Sequence, residues 1–172
     1  EKAIAIKPDY ADALTNLGSI LYVLGQPNAA VKCYMKALSI EPEYAEAHNN
    51  LGVTLDALGR FEDAEASYNR ALAIAPHFPE AHSNLGDLLT DLKRLDEALV
   101  SYETAFNLKP DIIFMLGKLL HTKMHLCLWD DLSSRLDELQ DKIHNNEKVI
   151  PPFPMLGLID DPELQRKVTE IF

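Results

Sequence analysis

A repeat of 34 residues is the feature that most constrains how this chain folds. Proline occurs at four positions that follow one another at this spacing, Pro8, Pro42, Pro76 and Pro110. Four other features recur with the same 34-residue spacing. They are a Leu-Gly pair at 17–18, an alanine at 30, a tyrosine at 34 and a second alanine at 37. A period of this length is typical of arrays in which each repeat is a helical hairpin that stacks on the next.

Within each repeat the apolar spacing predicts two helices. Leu14, Leu17, Gly18 and Leu21 lie at i, i+3, i+4 and i+7, which predicts one apolar stripe on the first helix. The glycine admits a close partner helix, and the Ala-Tyr-Ala set supplies the matching stripe of the second helix. Gly25 and Gly59 mark the turn inside the hairpin, with Lys93 in the third repeat, and the recurring proline ends the second helix. The chain is therefore expected to be all-α, an α-solenoid.

The period divides the chain into repeats followed by an irregular extension. Residues 1–10 are expected to end a preceding repeat, and 11–44, 45–78 and 79–112 to be full repeats. A degenerate repeat follows at 113–146, with Leu116, Leu119 and Leu120 on its first helix and Leu132, Leu136 and Leu139 on its second.

Residues 147–172 are predicted to be a linker and the start of a helix that leads to a C-terminal region outside this chain. Pro151 to Pro154 indicate an extended strap, and Asp161-Pro162 indicate a helix start. That last helix is expected to have too few partners. Cys127 and Trp129, at the bend of the degenerate repeat, are expected to pack in the core.

An asparagine recurs on the first-helix face that would line the concave surface of a superhelix. The three residues are Asn16, Asn50 and Asn84. An amide both donates and accepts, so such a ladder could bind the backbone of an extended peptide without reading its side chains. The alternative is that these are solvated polar residues on an exposed helix face. Secondary concave positions are acidic or small, with no basic residue among them: Asp12, Glu46, Glu80, Ser19, Asp87 and Asp91. This surface is expected to favour neutral or basic segments of proteins.

Composition excludes several other functions. The chain has 16 Lys and Arg against 27 Asp and Glu, a net charge of −11, which argues against nucleic-acid binding. No apolar run is long enough for a membrane span, and two cysteines without metal-ligand spacing indicate a reducing, cytoplasmic location. His121 and His125 could hold a metal but lack a third ligand, and His48 and His82 are expected to pack between helices.

The Leu-Gly, Ala, Tyr and Pro pattern resembles the tetratricopeptide repeat, a right-handed superhelix. The Asn-Leu-Gly repeats and the tail (119–124, 127–131, 151–154 and 161–162) resemble the repeat region of the protein O-linked N-acetylglucosaminyltransferases, bacterial or SPINDLY-like branch. This resemblance implies that the asparagines hold substrate peptides. It also implies that a UDP-sugar donor and the catalytic residues belong to a region beyond Phe172. No catalytic, metal or cofactor-binding residue is assigned within the chain.

Two other hypotheses remain open. The chain could belong to a free-standing scaffold or adaptor without an enzymatic domain. A co-chaperone clamp for a terminal carboxylate needs Lys and Arg at inner positions, which the three regular repeats lack. An enzyme active within these 172 residues is disfavoured, because no nucleophile, phosphate-loop or zincin motif occurs. The sequence also leaves open whether the whole protein forms a homodimer.

Overall fold

A computed structural model describes residues 7–172; residues 1–6 lie outside the description, as do the side chains of residues 7–9, 153 and 156. Ten helices and no strand occur among the described residues, which confirms the all-α prediction. The helices are α1 (Lys7–Val23), α2 (Pro27–Ile40), α3 (Ala45–Ala57), α4 (Phe61–Ile74), α5 (Pro79–Asp91), α6 (Leu95–Leu108), α7 (Met115–His125), α8 (Leu132–His144), α9 (Pro152–Leu158) and α10 (Pro162–Ile171). No described helix combines the length and apolarity that a membrane crossing requires.

The helices fall into two compact units, residues 1–88 and residues 89–172. In the first unit α1 packs on α2, α2 on α3 and α3 on α4. The preceding-repeat assignment of residues 1–10 lies largely outside the description, and α1 begins at Lys7, before the repeat boundary that the period predicts at residue 11.

Small residues and a tyrosine ring make the interior of each hairpin, as the repeat pattern predicts. Ala30, Ala37 and their equivalents in the next repeat have no exposed surface, and Tyr34 and Tyr68 are almost fully buried. A Cβ added at Gly18 would lie 2.6 Å from the Tyr34 ring, and one added at Gly52 would lie 2.6 Å from the Tyr68 ring. Glycine is therefore required for the ring to lie directly against the first helix.

The turn inside each hairpin is a Schellman motif. Gly25 and Gly59 both have φ of 73°, and in each case their N–H and the next N–H donate to carbonyls three and five residues earlier. Lys93 has φ of 62° with the same bonds, which confirms its predicted role in the turn. Cys127, a further 34 residues on, adopts φ of 56° with the same bonds.

Two histidines stabilise the turns between repeats. His48 Nε2 donates to the Pro42 carbonyl at 3.0 Å, and His82 Nε2 donates to the Pro76 carbonyl at 3.0 Å. Both rings are half-buried. Pro42 and Pro76 lie just beyond the C-caps of α2 and α4, so each ring supplies a hydrogen-bond donor to a carbonyl in the connection between repeats.

In the second unit α7 packs against α6, α8 and α9. Leu116, Leu119 and Leu120 are buried on α7, as predicted, whereas on α8 Leu139 is buried and Leu132 and Leu136 are half-buried. α10 packs on α8 and α9 through Leu164 and Val168, which are both buried. The expectation that α10 lacks partners is therefore wrong.

The predicted extended strap at 151–154 is also wrong beyond its first residue. Pro151 is extended, with φ of −68° and ψ of 155°, but α9 begins at Pro152. Pro152 and Pro154 fall in the first turn of this helix, where backbone N–H groups have no intrahelical acceptor. Prolines at these positions cost no hydrogen bond, so they start the helix rather than prevent it.

Three apolar positions are more exposed than the sequence predicts. Leu17 is 46% exposed, although its equivalents Leu51 and Leu85 are buried. Trp129 is 54% exposed and Cys127 is exposed, so neither is a core residue. Cys127 is held in the turn by its backbone, and the side chain of a residue at a Schellman turn points away from the helix interface.

Candidate functional site

The three ladder asparagines lie on α1, α3 and α5, all within the first unit. Asn16 is exposed, and Asn50 and Asn84 are half-buried. None is enclosed between helices, so each amide can reach a ligand at the surface. In the described part of the first unit no hydrogen bond occupies the Asn16 amide.

A fourth asparagine, which the sequence analysis missed, connects two of the three. The Asn84 Nδ2 donates to Asn49 Oδ1 at 3.0 Å, and the Asn49 Nδ2 lies 3.4 Å from Asn50 Oδ1. Asn49 is buried, so it positions the two neighbouring amides rather than contacting a ligand. The equivalent residue one repeat earlier is Thr15, whose hydroxyl donates to the Ala11 carbonyl.

The acidic positions near the start of α1 and α3 surround a tyrosine. Asp12 accepts a hydrogen bond from the Tyr44 hydroxyl, and Glu46 adds negative charge nearby. Burial, followed by these carboxylates, raises the pKa of Tyr44 well above its ordinary range. Asp12 and Glu46 are both exposed, so this end of the surface is negative.

The other secondary positions are spread over several environments. Ser19 lies 3.1 Å from the Tyr34 hydroxyl and so completes a hydrogen bond inside the protein. Glu80 is half-buried on α5. Asp91 is exposed at the end of α5, in the second unit, and the structure does not group it with the first-unit residues.

An open cleft of about 270 Å³ lies beside Asn84 in the first unit. Its walls come from α1, α3, α4 and α5, and its lining residues are Tyr22, Val53, Asp56, Ala57, Tyr68, Asn84 and Asp87. Asp87 was predicted as a secondary position, whereas Tyr22, Asp56 and Tyr68 were not. We call this feature the Asp56–Asp87 cleft.

The two arginines of the first unit pair with carboxylates that do not line the cleft. Arg60 pairs with Asp63 at 2.6 Å, and Arg70 pairs with Glu43 at 2.6 Å. Both arginines belong to α4 or the turn before it, and none lines the cleft. The surface thus offers amide hydrogen bonds and negative charge, which is the chemistry of noncovalent recognition.

His121 and His125 contact each other on α7, with their Nε2 atoms 3.3 Å apart. Burial, and then the neighbouring His125, lower the pKa of His121. Among the described residues no group of three or more metal-ligating side chains is gathered in one place, at this pair or elsewhere.

Sequence comparison identifies the repeats directly. Residues 9–77 match one sequence profile of the tetratricopeptide repeat, and residues 57–107 match another. The chain belongs to the tetratricopeptide repeat family. Together the two matches extend over more than half of the chain, and they contain all three ladder asparagines. No curated protein sequence matches this tetratricopeptide repeat chain significantly.

Several solved structures share the fold. The first such domain of Spaghetti (RPAP3), bound to the HSP90 peptide SRMEEVD, is 25% identical with a TM-score of 0.66, over 69% of this chain and 94% of that one. MamA is 22% identical with a TM-score of 0.72, over 84% of each chain. A variant of the O-GlcNAc transferase from Thermobaculum terrenum is 23% identical with a TM-score of 0.72, over 81% of this chain but only 27% of the transferase chain.

Proposed function

We propose that the α1, α3 and α5 face of the first unit binds extended segments of partner proteins through the amides of Asn16, Asn50 and Asn84. The observation that supports this most is that three amides recur at one register while remaining accessible. Each amide can pair with one backbone N–H or C=O, for about 0.5–1.5 kcal/mol net. The bound segment is expected to be neutral or basic, because the positions around the ladder are acidic.

The ladder is tested by replacing Asn16, Asn50 and Asn84 with alanine together. Capture of extended peptides from an immobilised random-peptide library is expected to fall about ten-fold or more, as three weak contacts combine. The matched control replaces Asn28, Asn69 and Asn107, which are exposed asparagines on α2, α4 and α6. If the ladder variant keeps its helicity and captures peptides as the control does, the proposal is wrong.

The HSP90 peptide seen with Spaghetti provides a charge test. SRMEEVD has three acidic side chains, one basic side chain and a free carboxylate. Because Asp12, Glu46 and Asp87 lie on the proposed binding face, this chain is expected not to bind the peptide. Tight binding of SRMEEVD in a fluorescence anisotropy titration would contradict the predicted preference.

We further propose that this repeat region recruits substrates for an O-GlcNAc-type glycosyltransferase that uses a UDP-sugar. The supporting observations are the resemblance of the tail and the structural similarity to the Thermobaculum terrenum enzyme, of which the chain spans about a quarter. The deciding test is the sequence of the gene downstream of Phe172. An α/β region with a nucleotide-binding half is expected there, and a stop codon would favour the second candidate, a free-standing adaptor. That adaptor is supported by the high coverage of the first Spaghetti domain, at 94%, and of MamA, at 84%.

A further inference from the structure

The Asp56–Asp87 cleft is lined by a tyrosine whose side chain is almost fully buried. The Tyr68 side chain is 1% exposed and lines the cleft beside Asn84. Its hydroxyl has no hydrogen-bond partner among the described residues. No fully buried side-chain oxygen or nitrogen of the described residues lacks a hydrogen-bond partner, so the Tyr68 hydroxyl oxygen is accessible from the cleft. The cleft therefore leaves a polar interaction to be completed by something that enters it.

The 34-residue repeat explains why this tyrosine differs from its equivalent. The Tyr34 hydroxyl has two internal partners, Ser19 at 3.1 Å and Thr54. One repeat later these positions are Val53 and Leu88, and neither side chain can form a hydrogen bond. The tyrosine is retained while both of its partners are replaced by apolar residues.

The charge around the hydroxyl is negative. Burial is the main cause that raises the pKa of Tyr68 above its ordinary range, and Asp56 and Asp87 are the next two. Both carboxylates line the same cleft as the hydroxyl. A ligand group that enters between them gains most if it donates hydrogen bonds and has a positive charge.

We propose that the Asp56–Asp87 cleft binds the side chain of a lysine or arginine from the captured segment. The ammonium or guanidinium donates to the Tyr68 oxygen and to the two carboxylates, and the Tyr22 ring covers the aliphatic stem or the guanidinium plane. Asn84 lies at the same cleft and holds the adjacent backbone. This inference rests on the proposed function, and it adds side-chain selectivity to a ladder that reads backbone alone.

The test titrates N-acetyl-L-arginine amide into the whole chain with ¹³C-labelled tyrosine, and follows the Tyr68 ring signals by NMR. A saturable shift is expected with a dissociation constant in the millimolar range, near ~1 mM. N-acetyl-L-lysine amide should behave similarly. N-acetyl-L-citrulline amide has nearly the same shape without the charge, and should bind at least about five-fold more weakly.

Variants test whether the arginine amide that shifts the Tyr68 signals binds in the cleft. Asp56→Asn with Asp87→Asn should remove most of the arginine response. Glu62→Gln with Asp96→Asn makes the same charge change at exposed residues outside the cleft, and should leave the response intact. Tyr68→Phe removes the hydroxyl alone and should weaken binding, which provides a second variant if the double aspartate variant does not fold.

Failure of this inference differs from failure of the proposed function. Equal binding of arginine and citrulline amides, no shift at Tyr68, or an unchanged response in Asp56→Asn with Asp87→Asn would each overturn the inference. An amino-acid amide has no extended backbone, so these results do not depend on the ladder. The proposed function is instead contradicted if peptide capture is unchanged after Asn16, Asn50 and Asn84 are replaced with alanine.

Discussion

At the scale of single residues, the repeat places a glycine wherever a tyrosine ring lies against the first helix. Gly18 faces Tyr34 and Gly52 faces Tyr68, and each ring leaves no space for a methyl group. We predict that Gly52→Ala lowers the free energy of unfolding by about 1–3 kcal/mol, because the buried ring must move. Urea unfolding followed by circular dichroism measures this change.

Gly157→Ala is the control for that substitution. A Cβ at Gly157 would have no neighbour within 4 Å, and alanine is favoured over glycine in a helix by about 1 kcal/mol. The control should therefore be neutral or stabilising. A Gly52→Ala variant as stable as the control would show that the ring relaxes without cost.

His121 makes the stability of the second unit dependent on pH. Its pKa is lowered from 6.5 in the folded state by burial and by His125, so the unfolded chain takes up the proton first as pH falls. We predict that acidification from pH 7.5 to 5.5 lowers Tm less in His121→Gln than in the wild type. The comparison uses thermal unfolding at both pH values, and an equal drop in Tm for the two proteins would contradict the lowered pKa.

At the scale of elements, the hairpin turn is a fixed geometry that different residues occupy. Gly25 and Gly59 adopt positive φ at little cost, whereas Lys93 and Cys127 adopt the same conformation with a side chain. We predict that Lys93→Gly and Cys127→Gly each stabilise the protein, by about 0.5–1 kcal/mol, measured as a rise in Tm. Gly59→Ala is the matched change in the other direction and should destabilise. No gain in Lys93→Gly would mean that its side chain contributes more than the strain costs.

The elements of the C-terminal extension show where the sequence pattern was insufficient. The N-cap at Asp161 was predicted correctly, and its carboxylate accepts from the Glu163 and Leu164 N–H groups. The helix at Pro152 was not predicted, because proline is compatible both with an extended segment and with a first helical turn. Local rules identify a helix start, but contacts with distant residues decide whether a proline-rich segment uses it.

At the scale of the whole molecule, the net charge of −11 should affect binding of basic partners more than neutral ones. The screening length falls from about 10 Å at 0.1 M salt to about 3 Å at 1 M. We predict that an arginine-containing peptide captured by the chain loses about three- to ten-fold in affinity over this range. The same peptide with citrulline should change little, because neutral amide contacts are weakly screened. Equal salt dependence of the two peptides, measured by fluorescence anisotropy, would contradict a role for charge.

The sequence alone determined the repeat length, the helical hairpins, the turn positions and the register of Asn16, Asn50 and Asn84, because periodic local packing repeats at a fixed spacing. It could not determine that Asn49 connects two of these amides, since that bond joins neighbouring repeats. It also could not determine that Tyr68 meets Asp56 and Asp87 in one cleft. Those relations depend on how residues far apart in the chain are brought together, which only the tertiary structure decides.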